Sequence, residues 1–159
     1  MLNIYITNLG KYNEGELVGE WANLPCDDLE AVYERIGINE EYEEMFITDY
    51  ESDFEGLQIG EYDNIEDLNE WAEELEAVDA EVVAAILEAE GGSLEDAISR
   101  ADDVIFYPGM TLLDVAYELI DECYDLPEIA QRYFDYEAFA RDLSFDGYTE
   151  TSNGTICTY

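Results

Sequence analysis

NIEDLNEWAEELEAV, residues 64–78, decides the fold, because the hydrophobic pattern changes at its first residue from strand-like to helical. Asn64 is a favoured N-cap residue. The apolar residues after it recur at the three- and four-residue spacing that places them on one face of a helix: Ile65, Leu68, Ala72 and Leu75. The stretch therefore predicts an amphipathic helix.

Two further helices follow, which makes residues 61–103 a helical middle domain. Asp79 is suited to cap DAEVVAAILEAE, which the pair Gly91-Gly92 ends. Ser93 with Asp96 opens a third, shorter helix, SLEDAISRA.

Residues 1–60 predict an N-terminal α/β domain with a small antiparallel sheet. LNIYIT (2–7) is typical of a strand, and the glycine-rich stretch 9–21 predicts an irregular loop. Asp27, with Glu30 three residues later, predicts a helix that Gly37 stops. Two further strands are predicted at MFITDY (45–50) and LQIGEY (57–62).

Residues 104–159 predict an α+β domain. A strand at DVIFYP (103–108) precedes a helix that Thr111 and Asp114 cap, and two short helices follow at PEIAQRYF and YEAFARDL. A hairpin around Asn153-Gly154 ends the segment. The predicted fold class is α+β: an elongated molecule of three small domains in a row, over residues 1–60, 61–103 and 104–159.

The charge is extreme and spread along the whole chain. Forty-two Asp and Glu stand against five Lys and Arg, a net charge of −37, and each of the three segments is strongly negative. Self-repulsion of this size opposes folding and exceeds what keeps a small domain in solution. Such a field repels nucleic acid and anionic membranes and attracts basic surfaces, so direct nucleic-acid binding and membrane association are not expected.

Residue types exclude most catalysis. The chain has no histidine, no phosphate-binding glycine loop and no zinc motif, so we expect neither an enzyme nor a cofactor. Its three cysteines, Cys26, Cys123 and Cys157, are odd in number and widely spaced, which indicates neither a disulfide framework nor a zinc site. No signal peptide and no membrane span are recognisable, which favours a cytoplasmic location.

Calcium binding is the one alternative with a motif. Asp142, Ser144, Asp146 and Gly147 fit the first half of an EF-hand loop, and Glu150 falls at its ninth position. The twelfth position is Asn153, where a bidentate Glu is required. An Asp-Gly turn beside a strand is the favoured interpretation, and no metal site is predicted.

The spacing of the acids lowers the stability of the protein, because it brings like charges close together. Between Glu66 and Glu76, five pairs of carboxylates lie at helical neighbour positions with no base among them. At about 0.2–0.5 kcal/mol each, these contacts cost about 1–2.5 kcal/mol at low salt. If ITDYESDFEG (47–56) is extended, Asp49, Glu51, Asp53 and Glu55 share one face, while Tyr50 and Phe54 share the other.

Charge density connects this pattern to DNA. Duplex DNA carries one charge per about 1.7 Å of axis, so 37 charges match about 60 Å of duplex. Alternate strand residues are about 6.6–7 Å apart, a scale similar to the phosphate repeat. An acid-coated body is thus a plausible electrostatic copy of DNA, and its natural partner is the groove of a DNA-binding protein.

IYITNLGKYNEGELVGEWANLP, residues 4–25, closely resembles the N-terminal signature of ArdA-type antirestriction proteins, most specifically over YNEGELVGEW (12–21). Leu17, Val18 and Trp21 of this motif are expected in the core. The resemblance implies a protein of a mobile genetic element that occupies the DNA-binding groove of type I restriction-modification enzymes. It also implies three small domains in a curved, elongated body, in a bacterial host.

By this resemblance, the acids of two segments stand in for phosphates and contact the methyltransferase core of the enzyme: Glu40, Glu41, Glu43, Glu44, Asp49, Glu51, Asp53, Glu55, Glu66, Asp67, Glu70, Glu73, Glu74, Glu76 and Glu81. A homodimer through residues 104–159 is also implied. That segment holds 11 of the 21 aromatic residues, including the predicted interface residues Phe106, Tyr107, Tyr117 and Tyr124. An acidic module for another basic, DNA- or RNA-binding protein is the alternative.

Overall fold

The protein is a mixed α/β chain of eight α-helices and two three-stranded antiparallel sheets, in a computed structural model that describes residues 1–159. The first sheet has the order β2-β1-β3, with β1 at Leu2–Asn8, β2 at Gly19–Leu24 and β3 at Met45–Ser52. Two helices lie between these strands: α1 at Leu9–Asn13 and α2 at Leu29–Arg35.

The first sheet has one buried face and one outer face. Ile4 and Ile6 of β1 and Ala22 and Leu24 of β2 point into the core, while alternate residues point outward. The register of β1 against β3 shifts between Tyr5 and Ile6, so that β3 carries one extra residue at this point.

Three predictions for residues 1–60 are wrong. The stretch 9–21 is not an irregular loop throughout, because it contains α1 and the start of β2. The cap of α2 is Asp28, whose carboxylate accepts the N–H of Ala31. LQIGEY is not a strand: Leu57 forms only an isolated parallel bridge with Gly92.

The middle helices are confirmed with their caps. They are α3 at Ile65–Glu74, α4 at Ala80–Glu90 and α5 at Leu94–Arg100, and a 3-10 turn at Leu75–Ala77 extends α3. The side chains of Asn64, Asp79 and Ser93 each accept a backbone N–H at the first turn of their helix. None of the helices is long and apolar enough to span a bilayer.

The remaining residues form the second sheet, in the order β4-β6-β5, and three helices. Its strands are β4 at Ile105–Pro108, β5 at Tyr148–Thr151 and β6 at Gly154–Cys157, and the helices are α6 at Leu112–Cys123, α7 at Glu128–Tyr133 and α8 at Tyr136–Leu143. Thr111 and Asp114 form the predicted capping box. The hairpin is also confirmed, but its turn is Ser152-Asn153, because Gly154 already pairs with Thr151.

Buried side chains form two clusters. The larger has 21 residues, drawn from both of the first two predicted domains, and it includes Ile156 of β6. The smaller has six residues, all between Val115 and Cys157. Glu88 of α4 accepts hydrogen bonds from the backbone N–H and the hydroxyl of Ser152, which joins the middle helices to the second sheet. The division into three domains in an elongated row stays a prediction.

Gly56 provides a close contact between the first sheet region and α4. Its φ is +82°, and a Cβ atom at this position would overlap the carbonyl oxygen of Leu87. The carbonyl of Gly56 accepts the N–H of Gly92, whose own carbonyl accepts the N–H of Gln58. Only glycine fits here without moving the backbone.

Candidate functional site

All fifteen carboxylates of the predicted surface are exposed. The structure also brings their two segments together, because one surface depression of about 510 Å³ is lined by Glu43 and Glu44 on one side and by Glu66 on the other. Tyr62 and Asp63 lie between them. Acids about twenty residues apart in sequence therefore meet at this depression. We call the fifteen exposed acids given above the acidic surface.

The loop before β3 holds four of these acids by backbone hydrogen bonds. The side-chain oxygen of Asn39 accepts the N–H groups of Glu41 and Tyr42 at 2.8 and 3.1 Å. The hydroxyl of Tyr42 donates to Glu14 at 2.9 Å, and this hydrogen bond raises the pKa of Tyr42. The turn is thus fixed, while the carboxylates of residues 40, 41, 43 and 44 stay in solvent.

Strand β3 confirms half of the predicted acidic row. Asp49 lies opposite Tyr5, and Glu51 lies opposite Asn3, both on the outer face of the sheet. The predicted continuation is wrong, because β3 ends at Ser52 and leaves Asp53 and Glu55 in the following turn. The carboxylate of Asp53 accepts a hydrogen bond from the N-terminal ammonium group at 2.7 Å.

Helix α3 carries five acids of the surface, and Glu76 follows in the 3-10 turn. Glu66 is held in place, since the Tyr33 hydroxyl donates to it at 2.8 Å. Burial, and then this carboxylate, raise the pKa of Tyr33 above its usual value, so the phenol keeps its proton and remains a donor. Glu81 lies in the first turn of α4, where the helix dipole favours a negative charge.

The few basic side chains are engaged elsewhere. Two guanidinium nitrogens of Arg35 donate hydrogen bonds to the carboxylate of Glu20, and two of Arg100 donate to the carboxylate of Glu90. Arg132 pairs with Glu128 and Arg141 with Asp142, at 3.7 and 3.5 Å. The Lys11 ammonium lies 5.7 Å from the centre of the Tyr42 ring. None of the five forms a salt bridge with the acidic surface, so the N-terminal ammonium group at Asp53 is the one positive charge paired with it.

The signature segment 12–21 does not fill the core as predicted. Leu17 is 70% exposed, Trp21 is 42% exposed, and only Val18 packs against the larger cluster. With Tyr5 and Tyr12, Leu17 and Trp21 line a depression on the outer face of the first sheet. Strand alternation in β2 could have revealed this, because Ala22 and Leu24 are the buried neighbours.

The four predicted dimerisation residues occupy different environments. Phe106 packs against the larger cluster, and Tyr107 packs against the smaller one. Tyr117 is exposed and stacks on Tyr136 with ring centres 4.0 Å apart. Tyr124 lines an exposed, mostly apolar depression of about 680 Å³ together with Phe139, Phe145 and Tyr159.

The calcium-like residues have other partners. The carboxylate of Glu150 accepts the N–H of Leu112 at 2.8 Å, and the side-chain amide of Asn153 donates to the carbonyl of Glu81. Asp142 lies within α8 beside Arg141. No three His, Cys, Asp or Glu side chains gather closely enough to hold a metal ion.

The arrangement can therefore attract and neutralise a basic surface by a broad array of exposed carboxylates. The family model of the ArdA antirestriction protein matches residues 4–157, which is nearly the whole chain. No curated protein matches the sequence. The match agrees with the signature at residues 12–21, and it implies an antirestriction function and interaction with restriction enzymes. The chain belongs to the ArdA family of antirestriction proteins.

Proposed function

We propose that this antirestriction protein is an acidic mimic of duplex DNA that occupies the DNA-binding groove of a type I restriction-modification enzyme. The single observation that carries the proposal is the acidic surface: fifteen exposed carboxylates, none of them paired with a Lys or Arg of the chain. A groove that binds phosphates through Lys and Arg receives carboxylates of the same sign instead.

The fixed positions of the acids support mimicry over a merely charged coat. Eleven of the fifteen acids lie on strand β3, helix α3 and the turn after Asn39, and all three elements contribute residues to one depression. At 0.1 M salt the screening length is about 10 Å, so exposed charges that are farther apart than this interact only weakly. Binding therefore depends on acids gathered within one surface as well as on the total charge.

The test is displacement of a labelled duplex of about 18 base pairs from the methyltransferase core of a type I enzyme. The protein should compete with the duplex, and its affinity should fall as salt rises, because the contacts are between charges. A folded protein that leaves the duplex bound at moderate salt refutes mimicry.

A charge-matched pair of variants separates a patterned surface from bulk charge. One variant neutralises six acids around the depression: Glu40, Glu41, Glu43, Glu44, Glu66 and Asp67. Its control neutralises six exposed acids outside the acidic surface: Glu95, Asp102, Asp103, Asp121, Glu122 and Glu137. The first should weaken displacement clearly more than the second, while any single Asp or Glu to Ala change in the surface should be nearly silent. Equal losses in the two variants would show that only total charge matters.

We further propose that the protein is a homodimer that pairs through residues 104–159. The exposed depression at Tyr124 supports this, because its lining is mostly apolar and this segment has the fewest acids per residue. Two bodies of this charge approach each other most easily where carboxylates are sparse. The phenyl and phenol rings there supply the large contact area typical of interfaces.

A further inference from the structure

We infer that the depression on the outer face of the first sheet is a docking site for an arginine side chain of a protein partner. We call it the aromatic patch and define it by Tyr5, Tyr12, Leu17, Trp21, Asp49 and Glu61. The inference deepens the proposed function and rests on it only for the identity of the partner. The chemistry of the site is testable without any restriction enzyme.

The sheet register builds one wall of the patch. Tyr5 of the central strand lies opposite Trp21 on one side and opposite Asp49 on the other. The rings of Tyr5 and Trp21 meet edge to face, with centres 5.3 Å apart and planes at 70°. An indole, a phenol and a carboxylate therefore stand in a row across three strands.

A second aromatic group forms the other wall. Phe46 is nearly buried between two tyrosines: its ring centre lies 5.3 Å from that of Tyr12 and 5.9 Å from that of Tyr62. Tyr12 nevertheless remains 51% exposed. The space between the walls is about 500 Å³, within the range of pockets that hold small ligands.

The two carboxylates at the patch have unused acceptor capacity. Asp49 accepts only the N–H of its neighbour Tyr50, and the side chain of Glu61 makes no hydrogen bond. The backbone of Glu61 is fixed, because its carbonyl accepts the N–H of Ile47 at 2.8 Å. Neither carboxylate pairs with a base of the chain.

Aromatic rings next to unpaired carboxylates favour an arginine over a lysine side chain, both by charge and by shape. A guanidinium group is planar and weakly hydrated, and it can stack on an aromatic face while it donates two hydrogen bonds to one carboxylate. A lysine ammonium is more strongly hydrated and cannot make the paired hydrogen bonds. Nucleic acid and a second copy of this chain are disfavoured, because both bring negative charge to Asp49 and Glu61.

The test uses the full-length protein and two blocked peptides, acetyl-GRGRG-amide and acetyl-GKGKG-amide, in a two-dimensional NMR titration. The protein has two indole N–H signals, from Trp21 and Trp71. The arginine peptide should shift the Trp21 signal and leave the Trp71 signal in place, with an affinity about fivefold higher than that of the lysine peptide. Equal affinities for the two peptides, or no shift at Trp21, overturn the inference.

Variants test the carboxylate without a loss of the fold. Asp49→Asn keeps the size of an exposed strand residue and should weaken the arginine peptide about threefold or more. The matched control is Asp102→Asn, an exposed acid outside both surfaces, which should leave the affinity unchanged. Trp21→Leu should abolish the difference between the peptides, and equal effects of the two Asp variants overturn the site.

The enzyme assay separates this inference from mimicry. If the wild-type protein displaces DNA and Trp21→Leu does so equally well, the patch makes no contact with the enzyme, while mimicry stands. If the wild-type protein fails to displace DNA but binds the arginine peptide selectively, mimicry fails, while the arginine site stands.

Discussion

Glu70 offers a direct measure of what the acidic surface costs the fold. It lies in the middle of α3 with four acidic neighbours one turn away, at positions 66, 67, 73 and 74, and all five side chains are exposed. The variant Glu70→Gln removes one charge and, with it, four like-charge contacts. At about 0.2–0.5 kcal/mol for each contact, the fold should gain about 0.8–2 kcal/mol. Exposure to solvent favours the lower half of that range, about 1 kcal/mol.

The assay is urea unfolding followed by circular dichroism. With a slope near 2 kcal/mol/M, a gain of about 1 kcal/mol moves the midpoint upward by about 0.5 M urea. The same experiment in 1 M salt should show almost no gain, because the screening length there is about 3 Å and the side chains of a helical pair are about 5–6 Å apart.

The matched control is the same chemical change with the opposite expected sign. Glu128→Gln removes the i,i+4 ion pair with Arg132 and should destabilise the protein by about 0.3–0.5 kcal/mol. If Glu70→Gln has no effect at low salt, or an equal effect at both salt concentrations, the proposed repulsion in α3 is refuted. Glu70→Gln should also leave DNA displacement nearly unchanged, since it removes one of fifteen exposed acids.

Three further predictions, two of them with a control variant, concern other parts of the structure. Gly56→Ala should cost about 3 kcal/mol or more, because its Cβ meets a carbonyl oxygen of α4. Gly15→Ala, with a similar φ of +88° but open space around it, should cost only about 1 kcal/mol; equal losses in urea unfolding would contradict the close contact. Hydrogen bonds from the capping threonine hold the pKa of Asp114 below its usual value, so its charge stabilises the fold above about pH 4, and this contribution is lost as the pH falls through the lowered pKa. Asp114→Asn should therefore destabilise the protein at pH 6 but much less at pH 2. If wild type and variant differed in unfolding free energy by the same amount at both pH values, this prediction would be wrong. Tyr124→Glu should convert the proposed dimer to a monomer, as measured by light scattering. The control Tyr133→Glu changes a residue that is 80% exposed and outside the depression, and it should remain a dimer. If both variants remain dimers, the interface does not lie at this depression.

Local chemistry made the helices predictable. Asn64, Asp79, Ser93 and Thr111 each cap the helix that the sequence assigns to them, because a cap is a contact between residues two or three positions apart. The choice between Asp27 and Asp28 failed because two adjacent acids are equally good caps on sequence grounds, and packing selects one.

Pairing over longer distances was less predictable. The sequence of β2 does not predict a strand, because its strand character arises from hydrogen bonds to β1 across α1. Leu57 has the apolar character of a strand residue, but its backbone meets Gly92 of the middle segment and finds no strand partner. The composition of such a segment does not specify its partner.

The acidic surface was predictable in sign and exposure but not in shape. A carboxylate without a base tends to stay in water, so the exposure of all fifteen acids follows from elementary solvation. That Glu44 and Glu66 line the same depression depends on how β3 and α3 pack, which no local pattern encodes. The aromatic patch is not predictable from residue type alone: the size and apolar character of Trp21 and Leu17 favour the core, although large apolar side chains are often exposed.

Burial of Ile156 among residues 2–97 has a consequence for how the protein is made. Ile156 is fully enclosed in the larger cluster, so a ribosome must deliver more than 150 residues before that cluster can close. Contacts across such a sequence distance slow folding, and they leave apolar surface exposed on the growing chain in the meantime. The negative charge that opposes the final fold is spread along the whole chain, so it also repels unfinished chains from one another during that interval. Repulsion between nascent chains thus protects a protein whose core closes late.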